Sequence, residues 1–226
     1  MRLPNLKFEK ELWQKGFKYV CGIDEVGRGS WAGPIVAAAV IFKPARSRIW
    51  SAPAGQDPGS KKLKIRDSKQ LLPHHREKFD KLIRENCLAF SICEIDVKTI
   101  NREGIAASAQ RAFRKCLKEI KIQPDFVLID AFYINYLAKK TQKPIIKGDQ
   151  KSVSIAAASI IAKVYRDNLM VGLHEDDSRY HFDLHKGYGT KIHQELIKKH
   201  GLSKHHRLEF VPESLAANKN NSQDHQ

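Results

Sequence analysis

The sequence predicts an α/β fold in which a mixed β-sheet is flanked by helices and followed by a C-terminal helical extension. Three observations predict it. Short runs rich in Val, Ile and aromatic residues, at 19–23, 34–42, 89–95 and 126–129, are bounded by turn residues and have strand length. Longer stretches with apolar residues at three- and four-residue steps lie between and after them. The chain has 226 residues, 42% hydrophobic and 29% charged, a globular mixture with enough length for one generous domain.

Taken in order, 19–23 and 34–42 read as two strands joined by a Gly-rich loop. From Pro44 to Lys62, three Pro and two Gly among basic residues describe a surface loop. Pro73 suits the first position of a helix reaching Asn86, with Phe79, Leu82 and Ile83 on its buried face. A strand at 89–95 follows. Asn101 is read as the N-cap of a helix to about Ile120, because Ile105, Ala109, Ala112, Phe113, Cys116, Leu117 and Ile120 share one stripe. Residues 126–129 form a strand ending in Asp130, and 144–146 a short one. Helices are expected from Ser152 to about His174 and from Thr190 to His200, the latter closed by Gly201. Residues 1–212 are expected to form one domain, about 18–170 as its core and 171–212 as its helical part. A disordered tail is expected at 213–226.

Forty Lys and Arg against 25 Asp and Glu leave a net charge of +15, and the pI is near 9.7. Such an excess fits a polyanion, nucleic acid before an anionic membrane. The longest apolar run, Ile35 to Phe42, is far short of the roughly 20 residues that span a bilayer. Met1 to Lys18 carries charge throughout and lacks the apolar core of a signal peptide. Four cysteines without a Cys-x-x-Cys pair read as reduced and structural, which suits the cytoplasm.

The acids carry the chemistry. Asp24 and Glu25 follow the first apolar strand, and Asp130 ends another. Asp167 falls on the apolar stripe of its helix, three residues after Val164, seven after Ile160 and eleven after Ala156. Carboxylates at inward positions are costly unless paired or bound to metal. Any one of them alone reads as a turn or cap residue; together they suit divalent cations, which take hard oxygen ligands. Gly27-Arg28-Gly29 offers close backbone approach and one cation. Lys147 to Lys151 leads into a helix start at Ser152, where N–H groups could hold a phosphate. His181 and His185 have a metal-like spacing but read as solvated or core histidines. Ser159 and the cysteines have no adjacent base, and a P-loop is absent.

Gly22-Ile23-Asp24-Glu25-Val26-Gly27-Arg28-Gly29, with Ala32-Gly33-Pro34 behind it, resembles ribonuclease HII, the bacterial type 2 ribonuclease H. The resemblance continues in order through Asp67-Ser68-Lys69-Gln70-Leu71, Leu128-Ile129-Asp130, Lys151-Ser152, Ala156 to Asp167, Lys186-Gly187-Tyr188-Gly189-Thr190 and His206-Arg207, covering about residues 18–212. Ser30-Trp31 stands where that family usually has Pro-Leu, and Ala131 where it commonly has Gly.

The resemblance implies an RNase H-like mixed sheet and two Mn²⁺ or Mg²⁺ ions held by Asp24, Glu25, Asp130 and Asp167. It implies contacts to the ribonucleotide 2′-OH from Gly27, Arg28 and Gly29, stacking of Tyr188 on the next sugar, and further substrate contacts from Lys69, Lys151 and Ser152. The implied reaction is endonucleolytic hydrolysis 5′ to ribonucleotides in RNA/DNA hybrids and in duplex DNA with embedded ribonucleotides, leaving 3′-OH and 5′-phosphate. The implied setting is ribonucleotide excision repair by a monomer. No convincing replication-clamp peptide is found between Ser214 and Gln226. Two other readings stand beside it: a basic nucleic-acid-binding module without catalysis, and a junction resolvase of related fold.

Overall fold

A computed structural model describes residues 3–44 and 72–216. Its centre is a five-stranded sheet, ordered β3-β2-β1-β4-β5. The strands are β1 (Val20–Val26), β2 (Ile35–Ile41), β3 (Ala89–Ile95), β4 (Phe126–Asp130) and β5 (Gln142–Ile145). The β1–β2 pair is antiparallel, whereas β1–β4 and β4–β5 are parallel, so the sheet is mixed as expected. Every residue of β2 is buried, which explains an apolar run with no alternation.

The helices are α1 (Lys7–Gln14), α2 (Pro73–Asn86), α3 (Val97–Glu119), α4 (Val153–Asp176), α5 (Phe182–His185), α6 (Lys191–His200) and α7 (Glu213–Ala216). Pro73 opens α2 and Phe79 and Ile83 face inward, matching the sequence reading. Thr190 caps α6 by accepting from the His193 N–H, and Gly201 ends it at φ 74°.

Three local expectations need correction. Helix α3 begins at Val97 and not after Asn101, because Asp96 accepts the Thr99 N–H 2.7 Å away and so acts as the cap. Asn101 instead accepts from the Leu208 N–H and donates to the His206 carbonyl. Gly104, at φ 76°, breaks α3 in its first half. Helix α1, formed by a highly charged segment, the single-turn α5, and α7, which stands where the tail was expected to begin and buries Leu215, were not anticipated.

The chain divides into two compact units: Met1–Val26, Val36–Cys93 and Gln110–Val164 form the first, and Gly27–Ile35, Glu94–Ala109 and Tyr165–Gln226 the second. In the first, Leu12, Val20, Phe126, Leu128, Ile145 and Ile155 form a core cluster with Phe8, Trp13 and Phe17 against it. Gly22 is required there, since a Cβ would overlap the Ser154 carbonyl group of α4. In the second, Ala32, Met170, Tyr180, Phe182, Ile197, Val211 and Leu215 form the core, with Trp31 and Leu173 packed on it. The described residues contain no helix long and apolar enough to cross a membrane.

Candidate active site

In the first unit, register decides where the acids go. Parallel pairing aligns Ile23 of β1 with Ile129 of β4. The next residue on each strand is an aspartate, and because side chains alternate, Asp24 and Asp130 leave the same face of adjacent strands. The strand β1 runs on to Val26, so Asp24 and Glu25 lie within it and not beyond it.

Asp24 is buried at 6% exposure. Burial, then the charges of Glu25 and Asp130, push its carboxyl well above the usual carboxylate range; Asp149 adds to this. A hydrogen bond from the Ser159 hydroxyl acts in the other direction. Asp130 is half-buried, and its Oδ1 accepts the Gly148 N–H at 2.7 Å. All the donors are carboxylate oxygens, the hard ligands that Mg²⁺ and Mn²⁺ take. A divalent ion among them would reverse the repulsion that raises Asp24, so the residues present fit such a metal.

Sequence reasoning missed two members of this neighbourhood. Asp149 is buried at 5% exposure, and its charge reaches Asp24; it lies in a short helical turn at Gly148–Gln150, where no sequence period marks it. Ser159, read in the sequence as having no adjacent base, in fact hydrogen-bonds the Asp24 carboxyl. Gly148 approaches closely, since a Cβ would stand 2.7 Å from Ile155 Cδ1 and 3.4 Å from Asp130 Oδ1. Ala131, after the catalytic-type strand end, has φ 63°. That left-handed backbone explains why Gly suits this position.

The start of α4 differs from the phosphate cradle considered for it. Glu9 of α1, 1% exposed, occupies that helix N-terminus: its Oε1 accepts from Ser152 Oγ (2.6 Å), Ser154 Oγ (2.7 Å) and the Ser154 N–H (3.0 Å). The Val153 N–H donates to the Asn5 carbonyl. A carboxylate from the same chain thus takes the place that an external anion would fill. Ser152 is fully buried and its hydroxyl is committed to Glu9, while Lys151 is exposed.

The second unit holds the Gly-Arg-Gly loop, and two buried arginines shape it. Arg207 donates from Nε to the Gly33 carbonyl (2.9 Å) and from Nη1 to those of Gly27 (2.6 Å) and Arg28 (3.2 Å). Arg166 donates to the carbonyls of Pro34, Lys186 and Ala32 at 3.0, 2.9 and 3.1 Å. Burial, and then the charge of Arg166, lower the Arg207 pKa to about 9. Burial likewise lowers that of Arg166, opposed by Tyr188 and Asp167. Gly27, at φ 91°, has no room for a Cβ beside the Arg166 guanidinium, whereas Gly29 has open space there.

Arg28 is exposed. Tyr188 is 37% exposed, with the Arg166 guanidinium carbon 5.6 Å from its ring centre. Asp167 is half-buried; the fully buried residue at this point of α4 is its neighbour Arg166. The sequence did carry a signal, because Arg166 lies four residues after Ala162 and four before Met170, both buried. Arg207, one of six Lys and Arg at 186–207, is internal and unavailable to a phosphate. Lys69 and the 44–62 loop, apart from Pro44, lie outside the described residues. His185 is a core histidine, donating from Nε2 to the Tyr180 carbonyl at 2.7 Å and accepting the Gly187 N–H at Nδ1.

Comparison with known proteins gives this geometry its family. The family model for ribonuclease HII matches residues 21–212. Ribonuclease HII of Caldicellulosiruptor bescii is 40% identical over 93% of this chain and 95% of that protein. The Acholeplasma laidlawii ribonuclease HII is 41% identical over 94% and 96%. Among solved structures, the ribonuclease H2 of Pyrococcus horikoshii OT3 has the same fold, with TM-score 0.68 at 22% identity over 88% of this chain and 97% of that one. Bst-RNase HIII in complex with Mn²⁺ matches with TM-score 0.67 at 23% identity, over 89% and 70%. With Asp24 and Asp130 on one face of adjacent strands, a structured Gly-Arg-Gly loop and relatives matched over nearly their whole length, the chain belongs to the ribonuclease HII family of divalent-metal-dependent endonucleases that act on RNA/DNA hybrids.

Proposed function

We propose that this chain hydrolyses the phosphodiester on the 5′ side of a ribonucleotide, in RNA/DNA hybrids and in duplex DNA with embedded ribonucleotides, leaving a 3′-OH and a 5′-phosphate. Asp24, Glu25, Asp130 and Asp167 hold the divalent ions. The observation that carries the reading is the placing of Asp24 and Asp130 on one face of adjacent parallel strands, with Asp24 buried among acids. Asp167 enters through the family motif that it ends. Bound Mg²⁺ or Mn²⁺ supplies an activated water and charge stabilisation at the phosphate.

The chain's own residues position the substrate. The Gly27 and Arg28 carbonyls are drawn onto Arg207, which holds the loop in one shape, and Gly29 leaves room for a ribose to approach. Gly27, Arg28 and Gly29 recognise the 2′-OH, the group that tells RNA from DNA. Tyr188 stacks on the following sugar, its ring steadied by Arg166. Lys69 and Lys151 contact phosphates, and Ser152 acts through the α4 start that it helps to hold. The working context is ribonucleotide excision repair in the cytoplasm.

The test is a duplex with one embedded ribonucleotide beside its all-DNA counterpart, with Mg²⁺, with Mn²⁺ and with chelator. Cutting 5′ to the ribonucleotide, only with metal, is expected. Asp130→Asn should bind but not cut, and binding should weaken steeply with salt. Cleavage of the all-DNA duplex would indicate a resolvase-type enzyme, and binding without any cleavage a passive module.

A further inference from the structure

We propose that His174, His181 and Asp183 form a second cation site in the second unit, built for a borderline metal such as Zn²⁺. These three residues play no part in the proposed hydrolysis. One ligand atom from each lies within 4.8 Å of the other two. Two of them, His174 Nδ1 and Asp183 Oδ1, are 3.2 Å apart. Both atoms are buried, and neither has a hydrogen-bond partner, the 3.2 Å contact lacking hydrogen-bond geometry. Two ligand atoms that converge without a hydrogen bond suit a shared ion: metal bonds of about 2.0–2.2 Å place tetrahedral ligands roughly 3.3–3.6 Å apart.

His181 supplies the third ligand. Its ring is stacked on that of His174 with centres 5.5 Å apart, and it is exposed, so it can turn to close the set. An outward His181 leaves a fourth position for water. The set of two imidazoles and one carboxylate differs in kind from the all-carboxylate set proposed for hydrolysis: imidazole suits Zn²⁺, Ni²⁺ or Cu²⁺, and carboxylate oxygens suit Mg²⁺ or Mn²⁺. A metal there would fasten the last turns of α4, which carry His174, to the segment at 181–183. His185, which the spacing in the sequence paired with His181, keeps both ring nitrogens on backbone groups and takes no part.

The intact chain should be titrated with Zn²⁺, and with Co²⁺ as a coloured probe, in a large excess of Mg²⁺ that occupies the carboxylates. One equivalent of Zn²⁺ per chain is expected to bind and to raise Tm, with a Co²⁺ absorption spectrum typical of mixed nitrogen and oxygen ligands. His181→Ala and Asp183→Asn should each weaken binding at least tenfold and abolish the Tm shift, while far-UV circular dichroism and Mg²⁺-dependent cleavage stay at the wild-type level. Absence of Zn²⁺ binding in excess Mg²⁺ would overturn the proposal. Undiminished binding in both variants would overturn it too, by placing the ion on other histidines such as His74 and His75. Neither outcome bears on the nuclease reading, which is scored by cleavage alone.

Discussion

The Nε2 atoms of His193 and His206 stand 3.1 Å apart, so one must donate and the other accept. The neighbours settle which. His193 Nδ1 faces the Tyr188 carbonyl at 3.0 Å and therefore carries a proton, leaving its Nε2 as acceptor. His206 Nδ1 accepts the Ser203 N–H at 2.9 Å, so its Nε2 carries the proton and donates to His193. Two neutral imidazoles thus relay hydrogen bonds from Ser203 to the backbone of Tyr188, and protonating either one breaks the relay.

The first prediction follows from that chain. Burial is the main cause that lowers His193 from the usual 6.5 to about 3 and His206 to about 4. In the unfolded chain both take up protons near pH 6.5, whereas the folded protein refuses them until pH 3–4. Their contribution to stability is therefore complete above about pH 6.5 and is lost as pH falls toward 4. The slope approaches about 1.4 kcal/mol per pH unit for each histidine. Denaturant midpoints measured from pH 8 to 4 check this, and His206→Gln should flatten the dependence.

Ala131→Gly should stabilise the fold by about 1 kcal/mol, because φ 63° is disfavoured for a residue with a Cβ and open to glycine. Thermal unfolding reads the change, and Mg²⁺-dependent cleavage should be unaltered.

Replacing Arg207 tests how the Gly-Arg-Gly loop keeps its shape. Arg207→Lys would place one ammonium where Nε and Nη1 now reach three carbonyls. A loss of about 2–4 kcal/mol is expected from acceptors left unsatisfied. At temperatures where the variant stays folded, discrimination between ribonucleotide-containing and all-DNA duplexes should also fall, measured as a ratio of kcat/KM values.

Ser159→Ala removes the hydroxyl that holds Asp24. Outer partners of metal ligands typically contribute 10- to 100-fold to metal affinity or activity. The Mn²⁺ concentration for half-maximal cleavage should rise about tenfold, with stability nearly unchanged.

Glu9→Ala should destabilise by about 2 kcal/mol, since Ser152 and Ser154 lose a buried acceptor and α4 loses a charge at its N-terminus. Circular dichroism melts check it.

The mixed sheet, the extents of α2 and β3 and the cap-to-glycine span of α6 were legible in the sequence, because period, Pro at a first turn and Gly at a last one act locally. The start of α3 was not legible, since Asn101 and Asp96 are both good caps and distant backbone groups at His206 and Leu208 claim Asn101. Helix α1 escaped notice because one buried glutamate, answered from more than 140 residues away, anchors a segment that reads as solvated.

By itself the sequence determined which residue types the site has: acids at strand ends, a Gly-Arg-Gly turn and the ordered motifs of one family. Tertiary structure alone decided what each does. Strand register put Asp24 beside Asp130, a close approach brought Asp149 toward them, and burial turned Arg166 and Arg207 from cations for phosphate into struts for a loop. The physical reason is that charge and periodicity are properties of a residue and its near neighbours, whereas desolvation and hydrogen-bond partnership depend on which distant backbone the fold delivers.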